Sequence, residues 1–476
     1  MEFINREAVL ERLDSLMKSG EGSLAVVWGR RRVGKTRLLV EWLRRRQGLY
    51  FVADQSSPSI QRTLLARVLD GTFPAFSSVE YPDWSSLLSR LASEAERAQW
   101  RGPLVIDELP YLVESSPELP SVLQRWIDHE SSPAGLVVVV AGSSQRMMQG
   151  IVLDGSAPLY GRARQLITLR PLGAAHLPRA FKGIGSRRAV EHYAVWGGIP
   201  RYWELAREHQ GSPLEEMIDR LVLDPRGPLH DEPERLLLEE TPPGRTLRPV
   251  LDAVGLGAHR LSEIAARTGH PATSLSHPVS RLAAMGLLRR EVPFGAPEKS
   301  GKRSLYRIAD PFARMWFRVV APHKGFLLRA SSSARKALWR KHRPRLIAEA
   351  WEDLCRDGLP LLAEKHPGRL GDGPWNPAQR FWKGNEPEWD AAMQSLDNTN
   401  AVLAEAKWLS HTPSAAGLQR TCASVLAKPR PSVPALRTAT LRRALCIPDR
   451  PSRSILNRLP SEITVFGAGD IVAVLA

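Results

Sequence analysis

The sequence predicts an α/β chain whose N-terminal third is a parallel sheet covered on both faces. Three observations predict it. Short apolar runs alternate with amphipathic helical stretches through the first 172 residues, the pattern of strands buried on both sides. One run leads into a glycine-framed basic turn, Gly29 to Thr36, and another, Pro103 to Glu108, ends in a pair of acids.

Taken in order, SLAVVWG (23–29) reads as a buried strand and TRLLVEWLRRR (36–46) as the helix after it. GLYFVAD (48–54), PLVID (103–107), GLVVVVAGS (135–143) and QLITLRPL (165–172) read as further strands. From about 173 to 235 the period turns helical, broken by WGGIP at 196–200. The PPG at 242–244 reads as a boundary before a basic unit at about 245–310. A second linker is expected near 322–335, ahead of the helix RPRLIAEAWEDLCRDGL (343–359). The stretch 411–460, rich in Pro, Ser and Arg, fits no element pattern, and no fixed-period repeat is present.

A chain of 476 residues exceeds one hydrophobic core, so several domains are expected. Cys355, Cys422 and Cys446 are widely spaced with no CxxC pair, which argues against a disulfide framework or a zinc site and fits a reducing cytoplasm. The first residues lack the apolar stretch of a signal peptide, and LVVVVAG (136–142) is too short to cross a bilayer, so no membrane partner is expected. The formal net charge of +16 suits a polyanion such as DNA or RNA. An arginine-rich proteome gives the same charge, so charge alone does not choose.

GRRRVGKT satisfies G-x-x-x-x-G-K-[ST] between a strand and a helix. Gly29 and Gly34 permit the tight turn that aims the backbone amides of Arg30, Arg31, Arg32 and Val33 at phosphate oxygens. Lys35 spans the β- and γ-phosphates of ATP, Thr36 is a Mg²⁺ ligand, and Arg37 continues the helix whose positive end faces the phosphates. Asp107 is placed to hold Mg²⁺ through water, and Glu108 to orient and deprotonate the attacking water. Ser143 or Ser144 is the candidate to touch the γ-phosphate or that water. Arg162 or Arg164 is the candidate to stabilise transition-state charge.

FINRE (3–7), the phosphate loop, VIDE, AGSS, PLYGR (158–162) and YAVWGGIPRYW (193–203) together resemble the archaeal-type P-loop ATPase family, close to the AAA+ and STAND groups. The resemblance implies an ATPase core over 1–172, a helical lid over 173–242, a winged helix over 243–321 and a nuclease-like α/β domain over 322–476. In such proteins the Asn-Arg-Glu segment lies by the base and the GG-x-P turn approaches the nucleotide, here Gly197, Gly198 and Pro200. HRLSEIAARTG and SLSHPVSRLAAMGLLRRE look like the two helices of the winged helix, with 292–308 as its wing. Ser274, Ser276, His277 and Arg281 would then read a major groove, unless the module makes protein contacts only. Pro278 argues against plain groove insertion unless it falls in the first helical turn.

RFWKGNEPEWDAAM (380–393) and NAVLAEAKW (400–408) resemble a PD-(D/E)xK nuclease-like module. By the period of two, Leu403, Glu405 and Lys407 share one strand face. Asp390 and Glu405 would hold a second divalent metal, Glu352 would be a helix-borne acid, and Lys407 would activate water. Arg420, Lys428, Arg430, Arg437, Arg442 and Arg443 read as a basic surface or as solvated loop. The expectation is an ATP-driven switch acting on or near DNA, coupled to this nuclease-like effector. The alternatives are an ATP-dependent DNA-binding regulator, or an oligomerising signalling scaffold, without cleavage.

Overall fold

Five N-terminal strands, β1 (Ser23–Trp28), β2 (Leu49–Val52), β3 (Leu104–Asp107), β4 (Val137–Gly142) and β5 (Ala163–Thr168), lie in the order β2-β3-β4-β1-β5 in the computed structural model. Every pairing is parallel. The structure describes residues 2–18, 20–44, 46–240, 247–297 and 303–475. Alternate side chains leave for opposite faces, and both faces are dry. Val26, Ile106, Val138 and Val140 enter one cluster, while Ala25, Val27, Val105, Val137 and Val139 enter the other.

Two strands end sooner than the apolar runs suggest. β5 stops at Thr168 although Leu169 N–H still donates to Trp28 O at 2.7 Å. Pro171 then offers no amide to continue the ladder. β2 ends at Val52, and the chain turns where Gln61 donates to the carbonyls of Asp54 (2.8 Å) and Ser56 (3.2 Å).

Residues 2–171 with 199–201 form one compact unit, and residues 172–198 with 202–475 form a second. In the second unit, helices Arg248–Gly255, Leu261–Thr268 and Ala272–Ala284 precede an antiparallel pair, β6 (Leu288–Glu291) and β7 (Leu305–Ile308). The turn after the middle helix closes on Gly269 at φ 69°, a left-handed position suited to glycine. Pro278 lies inside the third helix, beyond its first turn. The expected boundary at 242–244 and residues 298–302 of the expected wing lie outside the described residues.

The expected linker at 322–335 is largely helical. A turn of helix covers Lys324–Leu327, and a single helix runs Ser332–Lys365, capped where Ser331 Oγ accepts from Ala334 N–H at 3.3 Å. It carries Pro344 and Pro360 internally, so Pro344 does not begin a helix as the sequence suggested.

The C-terminal sheet contains β8 (Gln379–Lys383), β9 (Glu386–Gln394), β10 (Asn400–Ala406), β11 (Thr440–Cys446) and β12 (Ile463–Phe466), in the order β12-β11-β10-β9-β8. β8, β9 and β10 are antiparallel neighbours, and β10, β11 and β12 are parallel. One face packs on Trp351, Leu354, Cys355 and Leu359 of the long helix. The other packs on Leu418, Cys422 and Val425 of a helix, Ala415–Ala427, within the stretch that fitted no pattern. That stretch also supplies β11. No described helix is long and apolar enough to cross a membrane.

Candidate nucleotide site and C-terminal acidic cluster

The loop from Gly29 to Gly34 leaves the carboxyl end of β1, and the helix Lys35–Leu43 continues from it. Two glycines are required by geometry. A Cβ at Gly29 would lie 2.5 Å from Leu169 O, and Gly34 sits at φ 98° directly before the helix. Lys35 is 5% exposed, and its Nζ donates to the carbonyls of Gly29 (2.8 Å) and Arg30 (3.3 Å) across the loop. Val33 is buried, Arg30 and Arg31 are half-buried, and Arg32 and Arg37 are exposed. Arg31 Nη2 donates to Tyr111 OH at 2.8 Å. Pro200 Cγ would lie 3.9 Å from a Cβ built on Gly34, which brings Pro200 to the phosphate loop.

Asp107, 1% exposed at the end of β3, is where three donors converge. Thr36 Oγ1 and Tyr50 OH each donate to Oδ2 at 2.7 Å, and Glu108 N–H donates to Oδ1 at 2.9 Å. Burial and the Asp107 carboxylate push the Tyr50 phenol up. An aligned hydroxyl and carboxylate of this kind fit a hard oxygen-seeking cation, so Thr36 and Asp107 would hold Mg²⁺ beside a bound triphosphate. Glu108 takes a left-handed backbone at φ 55°. Its carboxylate is held by Ser143 at the end of β4, through Oγ at 2.5 Å and N–H at 3.3 Å. Ser144 Oγ instead accepts from Met147 N–H at 3.4 Å.

Tyr50 and Arg6 were not singled out by sequence. Tyr50 lies in an unremarkable apolar strand, and only the parallel pairing of β2 with β3 brings its hydroxyl to Asp107. Arg6 Nη2 donates to Arg170 O at 2.6 Å and Val33 O at 3.4 Å, tying the N-terminal segment to the phosphate loop. Burial lowers the Arg6 pKa to about 10. The FINRE motif was the available signal for it.

Arg162 is engaged by neighbours in its own unit. It makes a two-point contact with Asp128, Nε at 2.9 and 3.0 Å, and donates to Pro158 O at 3.1 Å, so it fixes its own loop. Arg164 pairs with Glu21 at 3.3 Å on the surface.

In the second unit, Ser274, Ser276 and His277 are exposed on the helix Ala272–Ala284, and Arg281 is half-buried. The expected wing is less free. Phe294 N–H donates to Arg380 O at 2.8 Å, and its ring enters the core beside Phe381 and Trp389.

Glu405, 4% exposed on β10, faces the helix Ala415–Ala427. Lys407 Nζ contacts its Oε2 at 2.7 Å, and Lys428 Nζ contacts its Oε1. Asp390 Oδ2 accepts from Ala406 N–H at 2.9 Å. Burial, then the Glu405 charge, raises the Asp390 pKa. Burial, then Asp390, pushes Glu352 up to about 7. Burial opposes the charged form of Lys407, but Glu405 and Asp390 raise its pKa overall. The four expected residues therefore share one electrostatic neighbourhood. The donor set fits a divalent ion poorly: each Glu405 oxygen already carries a competing ammonium group, and among the described residues no three His, Cys, Asp or Glu converge at ligand spacing. Of the expected basic surface, Arg420 and Arg437 are exposed, Arg430 is exposed but donates to Ala439 O at 2.8 Å, and Lys428, Arg442 and Arg443 are half-buried.

Residues 3–205 match the family model of an ATPase domain predominantly from Archaea. Over 323 residues the chain is 28% identical to an uncharacterized protein of Methanocaldococcus jannaschii, an alignment spanning 67% of this chain and 69% of that one. The Walker-type ATPase of Pyrococcus abyssi superposes with a TM-score of 0.52 at 20% identity, covering 67% of this chain and 97% of that one. The structural likeness speaks to fold alone. Residues 3–205 are thus similar in sequence to that ATPase domain, and the five-stranded parallel sheet has the fold of the Pyrococcus abyssi structure.

Proposed function

We propose that the chain is an ATP-binding and ATP-hydrolysing switch acting on or near DNA, whose nucleotide state controls the C-terminal α/β domain. One observation carries the reading. Thr36 and Asp107 meet at 2.7 Å beside a loop closed by Lys35, with Glu108 one residue further on. In this reading Gly29 to Arg37 and Pro200 surround ATP, Thr36 and Asp107 hold Mg²⁺, and Glu108 activates water. Residues 1–172 are the motor, 173–242 a lid, 243–321 a winged helix and 322–476 the effector. The DNA arm is supported by the net charge of +16 and by the exposed Ser274, Ser276 and His277. Self-association driven by ATP belongs to the same proposal.

Phosphate release measured with and without Mg²⁺ tests the motor. Turnover by the parent, lost in Lys35→Ala and in Glu108→Gln, supports it, and nucleotide binding unaffected by Lys35→Ala refutes it. Salt-dependent DNA binding that tracks ATP tests the second half.

The effector has two readings. Convergence of Glu352, Asp390, Glu405 and Lys407 favours a nuclease, whereas the double ammonium contact on Glu405 favours a module that does not cleave. The second fits the donor geometry better and is the one we adopt.

A further inference from the structure

Lys428 follows directly on the helix Ala415–Ala427, whose Leu418, Cys422 and Val425 pack on the sheet face that also buries Leu403. Its ammonium has three partners: the Glu405 carboxylate, the Glu388 carbonyl, and the Trp389 ring, whose centroid is 4.8 Å away. The backbone is fixed as well, since Lys428 O accepts from Arg443 Nη2 at 3.3 Å. Only 26% of the Lys428 side chain is exposed, against 48% for Lys407 and 5% for Glu405. The surroundings therefore deliver one ammonium, on a rigid element, to a buried carboxylate.

The chemistry of this cage selects an ammonium over a divalent metal. Mg²⁺ and Mn²⁺ require a full shell of oxygen ligands at short, near-octahedral geometry. An aromatic face supplies none, but it does stabilise an ammonium through the ring quadrupole. With Lys407 on Oε2 and Lys428 on Oε1, a divalent ion would meet an ammonium charge at either oxygen of Glu405.

We infer that Lys428 is a tethered cation that takes the place of a divalent metal at Glu405 and keeps this site metal-free. The inference rests on the reading of the C-terminal domain as a non-cleaving effector and names the residue responsible. It also removes Lys428 from any nucleic-acid-binding surface.

The test is Mn²⁺ titration of the full chain without nucleotide, following loss of the free-ion electron paramagnetic resonance signal. The parent is expected to take up no Mn²⁺ that depends on Glu405. Lys428→Met is expected to gain one Mn²⁺ per chain at least tenfold more tightly, and Glu405→Gln in that background is expected to abolish the gain. Lys428→Arg keeps a cation in the cage and should stay metal-free. A parent that binds one Mn²⁺ lost in Glu405→Gln overturns the inference, as does a folded Lys428→Met with no gain. Should Lys428→Met fail to fold, the parent and Lys428→Arg decide, since Glu405-dependent uptake by either refutes the claim. Two assays on the same preparations separate the readings. Glu405-dependent DNA cleavage by the parent would remove the non-cleaving effector, whereas absent ATP turnover would remove only the motor.

Discussion

Ser143 Oγ donates to Glu108 Oε1 at 2.5 Å, so the acid one residue past Asp107 is held from the end of the adjacent strand. The Ser143 N–H supports the other oxygen at 3.3 Å. Ser143→Ala keeps the amide contact and removes the hydroxyl, which loosens the aim of the proposed base without altering the phosphate loop. ATP turnover should fall roughly tenfold with little change in KM, against about 10²-fold or more for Glu108→Gln. Steady-state phosphate release checks both. Unchanged turnover in Ser143→Ala would mean that the contact does not serve the chemistry.

Tyr50 OH shares Asp107 Oδ2 with Thr36 Oγ1. Tyr50→Phe deletes one donor from the carboxylate and nothing else. A hydrogen bond to a charged group contributes about 1.5 kcal/mol, so the Mg²⁺ concentration for half-maximal turnover should rise roughly tenfold. Saturating Mg²⁺ should restore kcat. A uniform loss of kcat with unchanged Mg²⁺ dependence would instead mark Tyr50 as packing.

How much of this was legible follows from how local each signal is. Gly29 to Thr36 and Asp107–Glu108 are contiguous, and their strand–loop–helix context lies within a few residues, so reading along the chain finds them. Tyr50 reaches Asp107 only through strand pairing, and no spacing along the chain encodes that. Ser143 was in view as a candidate because it ends an apolar run, but its partner was not. Lys428 was misplaced on the surface because its neighbours, KPRPS, have the composition of a loop. What buries its head group is the helix before it and Trp389 some forty positions earlier in the chain. The long helix was started too late because Arg-Pro at 343–344 imitates a helix start, whereas the Ser331 cap lies upstream.

His192 gives a pH dependence with a definite sign. It is 2% exposed, its ring lies against Phe181, and neither ring nitrogen has a hydrogen-bond partner among the described residues. Burial, then the Arg188 charge, lowers its pKa to about 4 from the ordinary 6.5. Because the folded value is depressed, the unfolded chain takes up the proton first as pH falls. The contribution is therefore complete above about pH 6.5 and is lost progressively toward pH 4, by up to about 3 kcal/mol. His192→Leu should flatten that part of the stability–pH curve in urea titrations while leaving stability at pH 7.5 nearly unchanged. A parallel downward shift at every pH would show that cavity or packing effects dominate instead.

Asp353 is a buried acid of the second unit held by three arginines. Arg314 Nη2 lies 2.6 Å from one carboxylate oxygen, and Arg289 and Arg356 both contact the other. Burial works against this anion, but the three guanidinium groups hold its pKa well below the usual carboxylate range. The partners come from β6, from the helix Pro311–Met315 and from the long helix, so one carboxylate joins the β6–β7 pair to the helix under the C-terminal sheet. Asp353→Asn keeps the shape and removes the charge, leaving clustered cations in a dry environment. Breaking a buried pair in this way costs about 3–5 kcal/mol, much more than an exposed pair of the Arg164–Glu21 type, whose loss costs about 1 kcal/mol or less. The expected readout is an earlier unfolding transition with unchanged ATP affinity, because the phosphate loop belongs to the other compact unit. If ATP affinity fell in step with stability, the two units would unfold as one.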